Sequence, residues 1–106
     1  MKVVVISQAE RELRKTPKDV LLDVYSLFDE LEKGKHLRMP ISRPLPGIGK
    51  GLHELRLSSK AGEYRVFYLI KIGTAIYVLH ATTKKKQKID QKTTDLLRKR
   101  IKDVQA

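Results

Sequence analysis

Residues 51–88, GLHELRLSSKAGEYRVFYLIKIGTAIYVLHATTKKKQK, decide the fold. The stretch reads as three β-strands joined by two tight turns and ending in a run of lysines, because β-branched and aromatic residues alternate with polar ones between Gly-containing breaks. Side chains along a strand point alternately to opposite faces. One alternating set, Leu55, Leu57, Tyr64, Val66, Tyr68, Ile70, Tyr77, Leu79 and Ala81, is expected to face the core. The other, Glu54, Arg56, Arg65, Phe67, Leu69, Ile76, Val78 and His80, is apolar towards one end and polar towards the other. If Ser59-Lys60-Ala61-Gly62 forms the first loop, Arg56 lies opposite Arg65; if Ile72-Gly73 makes the second turn, Arg65 lies opposite His80. The expectation is a row of Arg56, Arg65 and His80 across one face. Like charges directly opposite one another destabilise a sheet, so the row calls for an acidic neighbour or a bound anion, and Glu54 is the internal neutraliser within reach.

On the N-terminal side, Val3 to Ile6 is a β-branched run suited to a strand, and Ser7 with Glu10 has the spacing of a capping box that opens a helix. Thr16 followed by Pro17 interrupts it and predicts a second helix, with Thr16 as cap and Pro17 at its first position. Val20, Leu21, Val24, Leu27, Phe28 and Leu31 recur at helical spacing, and Gly34 supplies a stop. Residues 34–51 hold three of the four prolines and four of the six glycines, which excludes a long regular element there. The GIGKG run, residues 47–51, lacks the spacing of a phosphate-binding loop. After the lysine run, Asp90 or Thr93 is expected to cap a last helix with Leu96, Leu97, Ile101 and Val104 as its apolar stripe. Lys92, Arg98, Lys99, Arg100 and Lys102 would be exposed, and the stripe would cover the apolar end of the second sheet face over Phe67, Leu69, Ile76 and Val78. The fold class expected is α+β in one domain spanning residues 1–106: an N-terminal strand and two helices packed on an antiparallel sheet, with a C-terminal helix.

The formal net charge of +11 is unevenly divided: residues 1–36 hold seven basic and seven acidic side chains, and residues 37–106 hold sixteen and five. The whole excess lies in the second part, a field that favours a polyanionic partner such as nucleic acid. There is no cysteine, so disulfides and thiolate chemistry are excluded. The N-terminal apolar run is too short for a signal peptide and no stretch has transmembrane length, which leads us to expect a cytoplasmic protein.

The three histidines, His36, His53 and His80, show no metal-ligand spacing, and no serine sits in a recognisable nucleophile elbow. No metal or cofactor is expected. What remains is metal-free phosphodiester chemistry on RNA, in which the ribose 2′-hydroxyl attacks its own 3′-phosphate. The protein need only remove a proton, stabilise charge on the phosphoryl oxygens and protonate the leaving 5′-oxygen. Arg65 and Arg56 suit the charge, since a guanidinium fork matches phosphate oxygens and stays protonated. His80 suits acid or base work, Glu54 is a possible base, and Lys84, Lys85 or Lys86 can stabilise charge or donate a proton. Arg43, Lys50, Lys60, Lys86 and Lys88 are candidate contacts to an RNA backbone.

The order strand, two helices, long loop, three strands, helix, with HELR at 53–56, EYRVFYL at 63–69 and LHATTKKKQK at 79–88, resembles the RelE/ParE toxin superfamily. In particular it is similar to the HigB-type, phage-derived branch, whose members read ELR, then YR with two aromatics, then a hydrophobic strand ending in a lysine-rich segment. The tryptophan common before ELR in that branch is His53 here. The resemblance implies a toxin that cleaves messenger RNA in the ribosomal A site and is neutralised by a cognate antitoxin, usually of helix-turn-helix type. It carries over to Arg56, Arg65, Lys84, Lys85 and Lys88, with Gln87 matching as sequence pattern. ParE-like members share the fold while acting on DNA gyrase, so the resemblance also admits a non-nuclease inhibitor, beside a plain RNA-binding module.

Overall fold

The computed structural model describes residues 1–83 and 87–105. Among these, β1 (Val3–Val5), α1 (Ser7–Leu13) and α2 (Lys18–Glu32) are followed by β2 (Ser42–Pro44), β3 (Leu52–Ser59), β4 (Gly62–Lys71), β5 (Ala75–Thr83) and α3 (Gln91–Gln105). The strands form one sheet in the order β1-β5-β4-β3-β2. The class is α+β as expected, but the sheet is mixed: β1 runs parallel to β5, with Val3, Val4 and Val5 beside Ile76, Tyr77 and Val78, and the other pairs are antiparallel. β2, inside the Pro/Gly-rich segment, escaped the sequence reading because three residues carry no periodicity.

The helix starts differ from the expected caps. Ile6, not Ser7, occupies the cap of α1, and the Ser7 hydroxyl donates to Gln8 Oε1 at 3.3 Å. Pro17 precedes α2, and the Thr16 hydroxyl turns back to donate to Leu13 O at 2.6 Å. The end of α2 is as predicted. Gly34 has φ +84°, its N–H donates to Leu31 O and that of Lys35 to Glu30 O, the pair of bonds that closes a helix with a left-handed glycine. Val20, Val24, Phe28 and Leu31 are buried against the first sheet face, each contributing about 1.5–3 kcal/mol.

The β3–β4 hairpin has the expected register, with Arg56 opposite Arg65 and Ser59 opposite Gly62. The β4–β5 pairing does not. Its turn takes three residues, Ile72, Gly73 and Thr74, with Gly73 at φ +79° and the Thr74 N–H donating to Lys71 O at 3.0 Å. The extra residue shifts the register by one, so Ile70 faces Ile76 and Tyr68 faces Val78. A bulge then inserts Leu79, and Phe67 faces His80. A one-residue slip inverts faces and a second restores them. Hence Ile76 and Val78 join the first core under α1 and α2, while Leu79, with Tyr77, joins the second core, where Leu52, Phe67 and Leu69 meet Leu97 and Ile101 of α3. Ala81, beyond the bulge, is on the face expected.

Two of the GIGKG glycines serve this packing. A Cβ at Gly51, which has φ +83°, would lie 2.6 Å from Ile70 O, and one at Gly49 would lie 2.6 Å from Ile101 Cδ1.

Candidate functional site

α3 covers only the apolar end of the second sheet face; the other end carries charge. Glu54 on β3 is fully buried there, and three arginines from three strands surround its carboxylate. Arg56 Nε donates to Oε1 at 2.7 Å, Arg43 Nη2 approaches Oε1 at 3.6 Å, and Arg65 Nε lies 3.2 Å from Oε2 at an angle too oblique for a hydrogen bond. A buried carboxylate is tolerable because these cations offset its desolvation. The cluster still carries three positive charges against one negative. Arg65 is 5% exposed and is held further by donating from Nη2 to Gln87 O at 2.8 Å.

Arg65 also lines a cleft of about 470 Å³ with Phe67, Thr82, Thr83, Lys88, Lys92 and Thr93 and one carboxylate, Asp90. The mouth of α3 opens onto it: Asp90 caps the helix, accepting from the Thr93 N–H at 2.8 Å, which aims the positive end of the helix dipole towards the same space. Two cationic side chains, a buried guanidinium, threonine hydroxyls and a helix N-terminus thus converge. The arrangement suits an anion with several oxygens. Lys84, Lys85 and Lys86 lie outside the described residues.

The expected row of Arg56, Arg65 and His80 is not formed. Arg65 faces Thr82, because the longer turn and the bulge move His80 along to face Phe67, on which its ring stacks at 5.8 Å. His80 lines a separate cleft of about 300 Å³ on the far side of Thr82 and Thr83, which border both. Its Nδ1 lies 2.9 Å from Glu12 Oε1, within hydrogen-bond distance, and Arg100 Nη1 donates to the same oxygen at 2.9 Å. Burial raises the Glu12 carboxyl, but the hydrogen bonds to His80 and Arg100, followed by the charge interactions with the same two side chains, outweigh it and hold the group down at about 2.

The remaining candidates are scattered. Arg43 belongs to the Glu54 cluster, and Lys60 is exposed in the β3–β4 turn. Lys50 is exposed just before β3, at the opposite end of that strand from Lys60. His53 stacks on Tyr68 at 5.1 Å and bonds through Nδ1 to Gly51 O at 3.0 Å, a packing role. Tyr68 in turn is raised by burial, partly offset by its 2.6 Å bond with Ser42.

Glu12, Lys92 and Arg100 were missed as site residues, and Arg100 was placed on the exposed side of α3. The signal was present: Glu12 falls three residues after buried Ala9 and Arg100 three after buried Leu97, so opposite charges sat on the sheet-facing sides of two helices.

This geometry belongs to a known fold. The toxin–antitoxin complex RelBE2 from Mycobacterium tuberculosis contains a chain that superposes with a TM-score of 0.56 at 22% identity, covering 78% of this chain and 96% of that one. A double-arginine mutant of the E. coli toxin RelE in the free state superposes with a TM-score of 0.52 at 14% identity, covering 97% of this chain and 96% of that one. The fold is therefore RelE-like. The family model described as Phage derived protein Gp49-like (DUF891) matches residues 11–102, and the chain belongs to that family. No curated protein matches the sequence.

Proposed function

We propose that the protein is the toxin of a type II toxin–antitoxin system, of HigB type, and acts as a metal-independent, ribosome-dependent messenger-RNA endonuclease in the cytoplasm. The observation that carries this reading is the cleft where a buried arginine, Arg65, meets Lys88, Lys92 and the N-terminus of α3. A phosphodiester seated there has its developing charge met by the buried, held guanidinium of Arg65 and by the exposed ammonium groups of Lys88 and Lys92, and electrostatic stabilisation of this kind is usually the largest single contribution protein groups make to catalysis. In this reading Arg65 and Arg56 stabilise the phosphoryl oxygens, His80 handles a proton, and Lys84 and Lys85 stabilise charge or protonate the leaving oxygen. Lys88 and Lys92 hold the flanking backbone, with Arg43, Lys50, Lys60 and Lys86 as outer contacts. Thr82 and Thr83 separate the two clefts, so a ribose-phosphate chain crossing that ridge meets both Arg65 and His80. The partner is a cognate antitoxin of helix-turn-helix type, and among the described residues no helix is long and apolar enough to cross a membrane.

Induced expression of wild type and Arg65→Ala, with primer extension on a translated message, tests the reading. New RNA ends are expected with wild type alone; equal growth arrest by both with no new ends contradicts it. One observation favours a second reading, a ParE-like inhibitor that binds gyrase or another protein. Arg56 and Arg65 are both ion-paired to Glu54, as in a purely structural network. Loss of DNA supercoiling on expression, undiminished by Arg65→Ala, is the result that reading expects.

A further inference from the structure

β1 pairs only with Ile76–Val78, so the second half of β5 has no strand beside it on that side among the described residues. α1 and α3 flank this open edge instead. Glu12 reaches it from α1 and Arg100 from α3, and the Leu79 bulge brings His80 between them. One carboxylate oxygen, Glu12 Oε1, lies 2.9 Å from His80 Nδ1 and accepts from Arg100 Nη1 at 2.9 Å and from the Ala81 amide at 3.3 Å. Arg100 Nη1 also donates to Leu79 O at 2.8 Å and sits 3.2 Å from His80 Nδ1.

These contacts constrain the imidazole. An Nδ1 lone pair would face a carboxylate oxygen at 2.9 Å and be repelled, whereas the 3.2 Å approach of Arg100 Nη1 asks nothing of Nδ1, because both Nη1 hydrogens go to the closer Glu12 Oε1 and Leu79 O; Nδ1 therefore carries the proton and Nε2 is left as the acceptor when the ring is neutral. The Phe67 ring stacked at 5.8 Å and 14° fixes the plane. Among the described residues no group bonds Nε2, and the ring lines the 300 Å³ cleft with Lys15, Tyr64, Thr82 and Thr83. Thr82, two residues further along β5, lies opposite Arg65, which puts His80 about 7 Å along the strand from the position facing Arg65.

We infer that Glu12 is a positioning residue: it fixes His80 in the Nδ1–H form and presents Nε2 as a proton acceptor beside the Arg65 cleft, with Arg100 holding Glu12 in place. The inference rests on the nuclease reading. In that reaction the ribose 2′-oxygen gives its proton to Nε2 as its bond to phosphorus forms. The bond from phosphorus to the 5′-oxygen breaks, and that oxygen takes a proton from a lysine ammonium. The products are a 2′,3′-cyclic phosphate and a 5′-hydroxyl.

Long-range 1H–15N spectra of the purified chain read the tautomer without reference to activity. Wild type is expected to show His80 protonated at Nδ1; Glu12→Ala is expected to move it to the Nε2–H form, and Glu12→Gln, which keeps an acceptor, to leave it largely unmoved. RNA cleavage by Glu12→Ala and by His80→Ala should each fall about 10²-fold, the size of one general-base contribution, with the double variant no lower than His80→Ala. Arg65→Ala should lose cleavage with the His80 tautomer unchanged. Wild-type His80 protonated at Nε2, or cleavage by Glu12→Ala equal to wild type while Arg65→Ala is inactive, overturns the positioning role and leaves the nuclease reading standing. Absence of cleavage by wild type removes the nuclease reading and the role of Glu12 with it.

Discussion

Two carboxylates organise the polar half of this molecule, and they are satisfied in different ways. Glu54, fully buried, sits among three guanidiniums from β2, β3 and β4. Glu12, with 24% of its side chain exposed, takes one guanidinium and one imidazole from α3 and β5. The first cluster has cation to spare and borders a basic cleft, which suits it to an anion. The second balances carboxylate against guanidinium and leaves an imidazole whose second nitrogen is open, which suits it to a proton. The same residue type serves charge in one place and proton placement in the other, and its neighbours decide which.

The comparison breaks most visibly at Glu54. Glu54→Ala removes the shared counter-ion of buried Arg65 and is expected to cost about 3–5 kcal/mol, the usual effect of leaving a buried charge unpaired; urea unfolding measures it, and a loss under about 1 kcal/mol means the cluster behaves as surface charge. Arg65→Ala should lower RNA cleavage about 10²- to 10³-fold, the effect of removing one preorganised donor to a developing oxyanion, as read by end-labelled RNA on ribosomes. Glu12 follows. Its folded pKa of about 2 lies below its ordinary value of 4.5, so its contribution is complete above about pH 4.5 and is lost as pH falls towards 2. Glu12→Gln should therefore cost about 2–3 kcal/mol at pH 7, after allowance for its partial exposure. The gap between variant and wild type should close on acidification, and unfolding curves at pH 7 and pH 3 check the sign. Smallest is Lys50→Ala: as an exposed outer contact remote from both carboxylates, it should change stability by less than about 0.5 kcal/mol and weaken cleavage only slightly. A large loss of cleavage there would extend the RNA path to the far end of β3.

The sequence made the Glu54 cluster legible and hid the Glu12 cluster, for a physical reason. Arg56 and Arg65 were placed opposite each other because the β3–β4 loop is bounded by clear turn residues and the hairpin is regular. β4 and β5 meet through a turn one residue longer than expected and a bulge at Leu79, and neither leaves a compositional mark. The two shifts exchanged Ile76 and Val78 with Tyr77 and Leu79 between faces and separated His80 from the arginines. α2 and its stop at Gly34 were readable because helical periodicity and a left-handed glycine are local signals. The pairing of Glu12 with Arg100 joins residues 88 positions apart. Only the assembled sheet edge brings them together.

In the proposed reading, the basic cleft around Arg65 cuts translated RNA. The direct measurement is the mapping of RNA ends after purified wild-type protein and Arg65→Ala are each added to ribosomes stalled on a defined message. New 5′-hydroxyl ends are expected at the A-site codon with wild type, fewer by about 10²-fold or more with Arg65→Ala, and none when ribosomes are omitted. Ends of equal abundance from both proteins, or none from wild type, would contradict the reading.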